Sequence, residues 1–242
     1  MERIVEKAAT DGDILWKPFS LTYVTYIEGD LFGKVLAVAS LAPLAIFVSY
    51  GTLVVFRRDL CTIFALIGQL LNEVINYALK HTIKDPRPNI LGLPHIHYGK
   101  YGFPSNHSQF ICFFAAFSSL LLLFRLKQNG SQSMKLLRRF YALCCWLLAF
   151  IICFGRVYLG QHTTHQVIGG CMIGAAFGSF WFIFLHYGLT PFFPLIASWS
   201  ICEWLLVRDT TLIPNILFFE YMSARSEGRA RSRKHSLKPK SG

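Results

Sequence analysis

A chain of 242 residues that is 53% hydrophobic and 15% charged carries too little charge for an ordinary soluble domain of its length. Its formal net charge of +11 raises nucleic acid as a partner, but the placement of that charge excludes it. Seven basic residues (Arg225, Arg229, Arg231, Arg233, Lys234, Lys238 and Lys240) stand against Glu227 alone in 225–242, with no nucleic-acid-binding motif beside them; this stretch reads as a disordered tail facing an anionic membrane surface.

In chain order, residues 1–32 form a polar, mildly acidic segment. Glu2, Glu6, Asp11 and Asp13 precede any apolar stretch, unlike a cleaved signal peptide. Val35–Phe56 then runs 22 residues without a charge, Asn106–Phe124 runs 19 and Val167–Tyr187 runs 21. About 20 apolar residues cross the roughly 30 Å hydrocarbon layer as a helix. The fold class is therefore all-α, a polytopic bundle of five or six membrane segments. The helices are predicted at 33–56, 60–79, 105–124, 140–158 and 166–187. A last apolar segment, 191–207, contains Pro194 and Glu203 and is either a short sixth span or a re-entrant segment. The membrane domain is expected over 33–207, and the basic tail over 208–242.

The helix at 60–79 is less uniform than its neighbours. Gln69, Asn72, Glu73, Asn76 and then Lys80 recur at steps of three and four and share one face. A polar stripe in hydrocarbon must turn toward the bundle interior. Interhelical hydrogen bonding accounts for the amides, while Glu73 is a partner for a nearby cation.

Arg57 and Arg58 follow the first helix, and Arg125, Lys127, Lys135, Arg138 and Arg139 follow the third. Both loops are expected on the cytosolic side by the positive-inside rule. The loops after the second and fourth helices then share the lumenal side, and so does the N-terminal segment. Asn129-Gly130-Ser131 is a glycosylation acceptor whose modification would reverse this orientation. All seven cysteines lie in apolar segments, with neither zinc-ligand spacing nor a disulfide framework, and read as small core- or lipid-facing residues.

Three polar clusters fall on the lumenal side: KHTIKDPRP with Lys80 and Arg87, FPSNH at 103–107, and GRVYLGQHTTHQVIGG at 155–170. Taken singly, a lysine or arginine at a helix end snorkels to headgroups, and a Pro-Ser is ordinary capping. Jointly, Lys80, Arg87 and Arg156 are three cations suited to phosphate oxygens. Ser105 and Asn106 open a helix whose free N–H groups suit an anion. His107 and His162 are suited to nucleophilic and acid/base work. No acid/histidine cluster offers a metal cage of the usual kind, so the cations would stabilise the transferring phosphoryl group without a metal or other cofactor. His81, His95, His97 and His165 read as loop histidines without a catalytic part.

Lys80-x6-Arg87-Pro88, Pro104-Ser105-Asn106-His107 and Arg156-x5-His162 together resemble the type 2 phosphatidic acid phosphatase superfamily. Around them, LNEVINYALK, YGFPSNHSQF, RDTTLIPNILFFEY and WKPFSLTYVTYIEGD are similar to the dolichyldiphosphatase branch. The resemblance implies a metal-independent enzyme of the endoplasmic-reticulum membrane with a lumenal site. Its substrate would be dolichyl diphosphate, hydrolysed to the monophosphate and so returning the lipid carrier of N-glycosylation. It implies His162 as nucleophile, forming a phosphohistidine, and His107 as the acid that protonates the leaving group. Lys80, Arg87, Ser105, Asn106 and Arg156 would hold the phosphoryl oxygens. Rival readings are a phosphatase for another lipid or sugar phosphate, and a lipid-binding protein of the same fold without turnover.

Two positions depart from the family pattern. Gly155 replaces the usual serine before the third-motif arginine, and Gln166 replaces the usual aspartate four residues after the nucleophile. One helical turn separates His162 from Gln166, so a glutamine carbonyl can still orient the ring, but without negative charge. Glu73 and Asp85 are the acids that could contribute that charge.

Overall fold

The computed structural model describes residues 16–19, 24–88, 101–125, 132–213 and 216–236. Five helical segments, Leu31–Arg57, Leu60–Ile83, Asn106–Arg125, Gln132–Tyr158 and Thr164–Ala197, are long and apolar enough to cross a membrane. Together they make an all-helical transmembrane bundle, preceded by a small antiparallel hairpin of β1 (Trp16–Phe19) and β2 (Val24–Ile27).

The first span is two helices rather than the single one predicted, α1 (Leu31–Ala39) and α2 (Ala42–Arg57). Pro43 has no N–H to give and its ring crowds the carbonyl four residues back, so the helix cannot run through. Ser40 marks the break, its hydroxyl bonding Leu36 O at 3.0 Å. At the start of α1, Asp30 caps Gly33 N at 2.9 Å.

Helix α3 (Leu60–Ile83) begins where Asp59 Oδ2 accepts from Thr62 N at 3.1 Å. It runs to Ile83 rather than 79, since Lys80 and His81 in the last turn suit the negative end of the helix dipole. Lys80 thus projects from a helix. Helix α4 (Asn106–Leu120) is the centre of the bundle, with Phe110, Ile111, Phe113 and Phe117 all but sealed from solvent. Helix α5 (Gln132–Tyr158) begins two turns before the predicted 140, and α6 (Thr164–Ile183) begins at 164 rather than 166. Chain residues 126–131, and with them Asn129, lie outside the described residues.

Close approach of α4 and α6 rests on glycine. A Cβ on Gly170 would come within 2.7 Å of Ser105 O, and one on Gly178 within 2.7 Å of Phe113 O. Between them, Gly174 faces the backbone of Gln109 with no room at all. Small residues let helices meet where no hydrophobic drive separates protein from lipid. Large apolar side chains such as Val48, Phe150, Phe154 and Met172 remain exposed on the outside, as a lipid-facing surface requires.

The polar stripe on α3 is mostly glue. Asn76 Nδ2 donates to Gln109 Oε1 (2.8 Å) and Pro104 O (3.3 Å), and Gln109 Nε2 donates to Asn72 Oδ1 (3.0 Å). Gln69 reaches Phe110 O at 3.4 Å. Cysteine packing brings a contact that spacing did not show: the sulfurs of Cys112, Cys153 and Cys171 lie within 4.8 Å of one another where α4, α5 and α6 meet.

Segment 191–207 does not form a sixth span. It folds into α7 (Phe193–Ala197) and α8 (Ser200–Trp204), each of five residues, broken around Pro194 and Ser198. Arg208 then pairs with the turn between α2 and α3, its N–H to Arg58 O at 2.9 Å and its carbonyl to Leu60 N at 3.1 Å. Arg125 secures the same face through Thr190 (3.2 Å) and Thr211 (2.8 Å). The C-terminal segment therefore leaves the bundle at the basic end, opposite the three polar clusters. As far as Ser236 the tail is helical rather than the disordered stretch expected from composition. Ile216–Ser236 is helix α9, which is rich in good helix formers. It is anchored by Arg208 to Glu220 at 2.8 Å and braced by Glu227 to Arg231 at 2.7 Å.

Candidate active site

The third cluster is built by one tight turn. Helix α5 ends at Tyr158, and Gly160 adopts φ +68, the left-handed conformation that stops a helix and that glycine takes without strain. The N–H groups of Gln161 and His162 fold back onto Arg156 O at 3.1 and 3.2 Å. Thr163 then caps α6. Arg156, Gln161 and His162 are buried by this turn.

The first cluster closes over it. Pro86 pairs with Tyr101, and Gly102 N donates to Asp85 O at 2.7 Å, which fastens the start of the connection between α3 and α4 to its end. From there Arg87 Nη1 reaches Gln161 O at 3.2 Å and His162 Nε2 at 3.3 Å. The second cluster joins through Ser105 N, which donates to Gln166 O at 3.0 Å, and through Asn76, which holds Pro104 O. The Phe103–Pro104 peptide is cis. Ser105 is buried and its hydroxyl accepts from Ser108 at 3.0 Å.

Lys80, Arg87 and Arg156 all lie within electrostatic reach of both His162 and His107. Burial first, then the charges of Arg156 and Arg87, press the His162 imidazolium down to about 2, against the opposing pull of its hydrogen bond with Gln166. The ring is thus neutral over the working pH range and has a lone pair to give. Beside it, Glu73 pairs with Asn106 and lines a groove of about 410 Å³ together with Val74, Asn76, Tyr77, Lys80 and Asn106. A neutral, buried imidazole among fixed cations can attack an electron-poor centre that carries negative charge, and a phosphoryl group is such a centre.

Comparison with known proteins agrees with this chemistry. Residues 60–189, more than half of the chain, match the model of the PAP2 superfamily. The chain belongs to that superfamily. Among PAP2 relatives it is 47% identical over 227 residues to "Dolichyldiphosphatase 1" of Rhinolophus ferrumequinum, covering 92% of this chain and 94% of that one. The protein of the same name from Homo sapiens is 46% identical over 226 residues, with the same coverage. Among solved structures, the bundle resembles a PAP2-type phosphatidylglycerolphosphate phosphatase from Bacillus subtilis, with TM-score 0.54 and 19% identity. That match covers 79% of this chain and 86% of the other, and it supports the shared fold.

Within the PAP2 frame, Lys80, Arg87, Ser105, Asn106, His107, Arg156, His162 and Gln166 come to one end of the bundle. His81 stacks on Tyr77 and bonds its carbonyl (2.8 Å), away from this constellation. His95 and His97 lie outside the described residues. His165, expected in a loop, stands in the first turn of α6, and its Nε2 lies 3.0 Å from Asp85 Oδ2. Asp85 itself, rather than Glu73, meets Gln166, with Gln166 Nε2 to Asp85 Oδ2 at 2.6 Å. Hydrogen bonding from Gln166, the largest influence, holds the Asp85 carboxyl below its usual range. Gly102 permits this packing, because a Cβ there would fall 2.5 Å from Gln166 Nε2. Spacing named Gln166, one turn after His162, but left its acid open between Asp85 and Glu73. A second local signal is Thr163-x-x-Gln166, the pattern of a capping box, which turns a glutamine side chain back toward the helix start. The backbone N–H of Thr163 does donate to Gln166 Oε1, at 3.3 Å.

Proposed function

We propose that this protein hydrolyses dolichyl diphosphate to dolichyl phosphate and inorganic phosphate at the lumenal face of the endoplasmic-reticulum membrane, returning the lipid carrier to protein N-glycosylation. The observation that carries the reading is the buried, neutral His162, with Arg87 at its Nε2 and Arg156 behind it, in a chain nearly half identical to dolichyldiphosphatases.

His162 Nε2 attacks the terminal phosphorus, an N–P bond forms, and the bond to the bridging oxygen breaks. The leaving dolichyl phosphate takes its proton from His107. A water then attacks the phosphohistidine, releasing phosphate and restoring the ring. Lys80, Arg87 and Arg156, with Ser105 and the N–H groups around Asn106, hold the equatorial oxygens and stabilise their charge. The groove beside Lys80 and Asn106 is bordered by the exposed side chains of Val74 and Tyr77, and a polyprenyl chain would lie against them. Arg57, Arg58, Arg125, Lys135, Arg138 and Arg139, on or beside the loops away from the site, support the lumenal assignment through the positive-inside rule.

The test is a substrate panel on purified protein in excess EDTA. Polyprenyl diphosphate should release one phosphate per molecule and outpace phosphatidate, polyprenyl monophosphate and glucose 6-phosphate in kcat/KM. Preference for any of the monophosphates overturns the substrate assignment, and lipid binding without phosphate release overturns the enzymatic reading altogether.

A further inference from the structure

Gln166 has three neighbours whose hydrogen-bonding roles are not free. Asp85 Oδ2 at 2.6 Å and Pro86 O at 2.8 Å can only accept from its amide nitrogen. The Thr163 backbone N–H, 3.3 Å from Oε1, can only donate. The amide therefore sits with its NH₂ toward Asp85 and its carbonyl oxygen toward Thr163 and His162. With Oε1 an acceptor, its 3.1 Å contact with His162 Nδ1 requires the proton to be on Nδ1. At the other end of the ring, Arg87 Nη1 is a donor without acceptor capacity and lies 3.3 Å from Nε2. Both ends of the ring therefore require the same tautomer, with the lone pair on Nε2.

We propose that Asp85 is a positioning residue for His162, acting through the Gln166 amide: it supplies, from the connection between α3 and α4, the negative charge that the third cluster lacks. The proposal rests on the reading of His162 as nucleophile. When Nε2 bonds to phosphorus the ring gains positive charge and keeps its Nδ1 proton. That proton is held by a carbonyl oxygen whose own amide is polarised by a carboxylate. A glutamine alone, held by Pro86 O and Thr163 N–H, would orient the ring but would offer no charge. Asp85 supplies that charge. Gly102 completes the cradle, since its missing side chain leaves the space the amide fills, and its N–H fixes the Asp85 carbonyl at 2.7 Å. His165 Nε2, 3.0 Å from the same carboxylate oxygen, steadies Asp85 from the solvent side. Glu73 has no part in this, being turned to Asn106 and the groove.

The experiment compares Asp85→Asn, Asp85→Ala, Gln166→Asp and the double variant Asp85→Asn/Gln166→Asp in purified full-length protein, with polyprenyl diphosphate as substrate. Asp85→Asn keeps a hydrogen-bond acceptor and loses only the charge, so kcat should fall roughly 10- to 100-fold with KM within about twofold of wild type. Gln166→Asp alone should also be slow, because two carboxylates then face each other. The double variant should regain about tenfold in kcat over Asp85→Asn, since the charge returns next to the ring and an amide stands opposite it. Asp85→Asn with wild-type kcat, a loss carried by KM, or a double variant no faster than the single one would each overturn the proposal. A wild type that fails on polyprenyl diphosphate strikes the proposed function instead. The positioning claim has a substrate-free readout: ¹⁵N spectra of the His162 ring should show Nδ1–H in wild type, and the Nδ1 resonance should move in Asp85→Asn and Asp85→Ala as the Gln166 carbonyl loses its polarisation. An unmoved Nδ1 resonance in both variants overturns it.

Discussion

Arg87 Nη1 stands 3.3 Å from His162 Nε2, although 75 residues separate them in the chain. A fixed cation therefore sits at the atom proposed to attack phosphorus, and the same guanidinium is pinned by Gln161 O at 3.2 Å. Arg87→Lys keeps the charge but replaces the rigid planar guanidinium, which aims Nη1 at both partners, with a freely rotating ammonium on a flexible stem. Its kcat/KM should fall roughly 10- to 100-fold, about 1.4 to 2.8 kcal/mol in transition-state stabilisation. Steady-state kinetics with polyprenyl diphosphate measure it, and activity within twofold of wild type would show that charge alone suffices.

A phosphohistidine is labile in acid and stable in base. Rapid quenching of wild type with substrate labelled in the terminal phosphate should trap a base-stable phosphoenzyme, and His162→Ala should trap none and lose turnover. His107→Ala should retain substrate binding but form the intermediate more slowly, by roughly 10²- to 10⁴-fold, the range of a lost general acid. Full activity in His162→Ala would remove the nucleophile from the mechanism.

With the His162 imidazolium pressed down to about 2 by burial, Arg156 and Arg87, the sign of its pH effect is set. Its neutral form is favoured from alkaline pH down through the ordinary histidine range near 6.5. The acid limb of kcat/KM should therefore not report protonation of this ring. ¹⁵N NMR of the substrate-free protein between pH 8 and 5 should find its shifts unchanged. Saturation with phosphate, which offsets the arginine charges, should move the titration upward. A ring titrating near 6.5 in the substrate-free protein would contradict the burial seen here.

Two glycines make opposite predictions. Gly102→Ala places a methyl group 2.5 Å from the Gln166 amide nitrogen. It should displace that side chain and lower kcat by about tenfold while leaving thermal stability in detergent nearly unchanged. Gly174→Ala puts a methyl group onto the Gln109 backbone at the α4–α6 contact. It should cost about 1 to 3 kcal/mol of stability through helix separation. Thermal unfolding and activity measured on both variants separate the two effects, and a stable Gly174→Ala would mean that the two helices can part without penalty.

Hydropathy by itself determined the spans around 35–56, 106–124 and 167–187, because an uncharged run of about 20 residues has no stable alternative to crossing a bilayer as a helix. The recurring amides on α3 were legible as interhelical glue for a similar reason, since helical spacing puts them on one face and hydrocarbon forbids leaving them unpaired. The cations and histidines of the site were legible as a set, though not as a geometry. Tertiary structure decided the rest. Composition could not foresee the break at Ser40 as a boundary between two helices of one span, nor the α9 helix in a strongly basic tail. The first turns on a local clash, Pro43 against the turn before it, that an unbroken apolar run conceals; the second depends on a contact from outside the helix, Arg208 with Glu220. Above all, the sequence left the acid for Gln166 open between Glu73 and Asp85. Helical periodicity relates residues three and four apart, whereas Asp85 and Gln166 are 81 apart. Only the packing of a loop, fastened at Gly102, against the first turn of α6 brings carboxylate and amide to 2.6 Å.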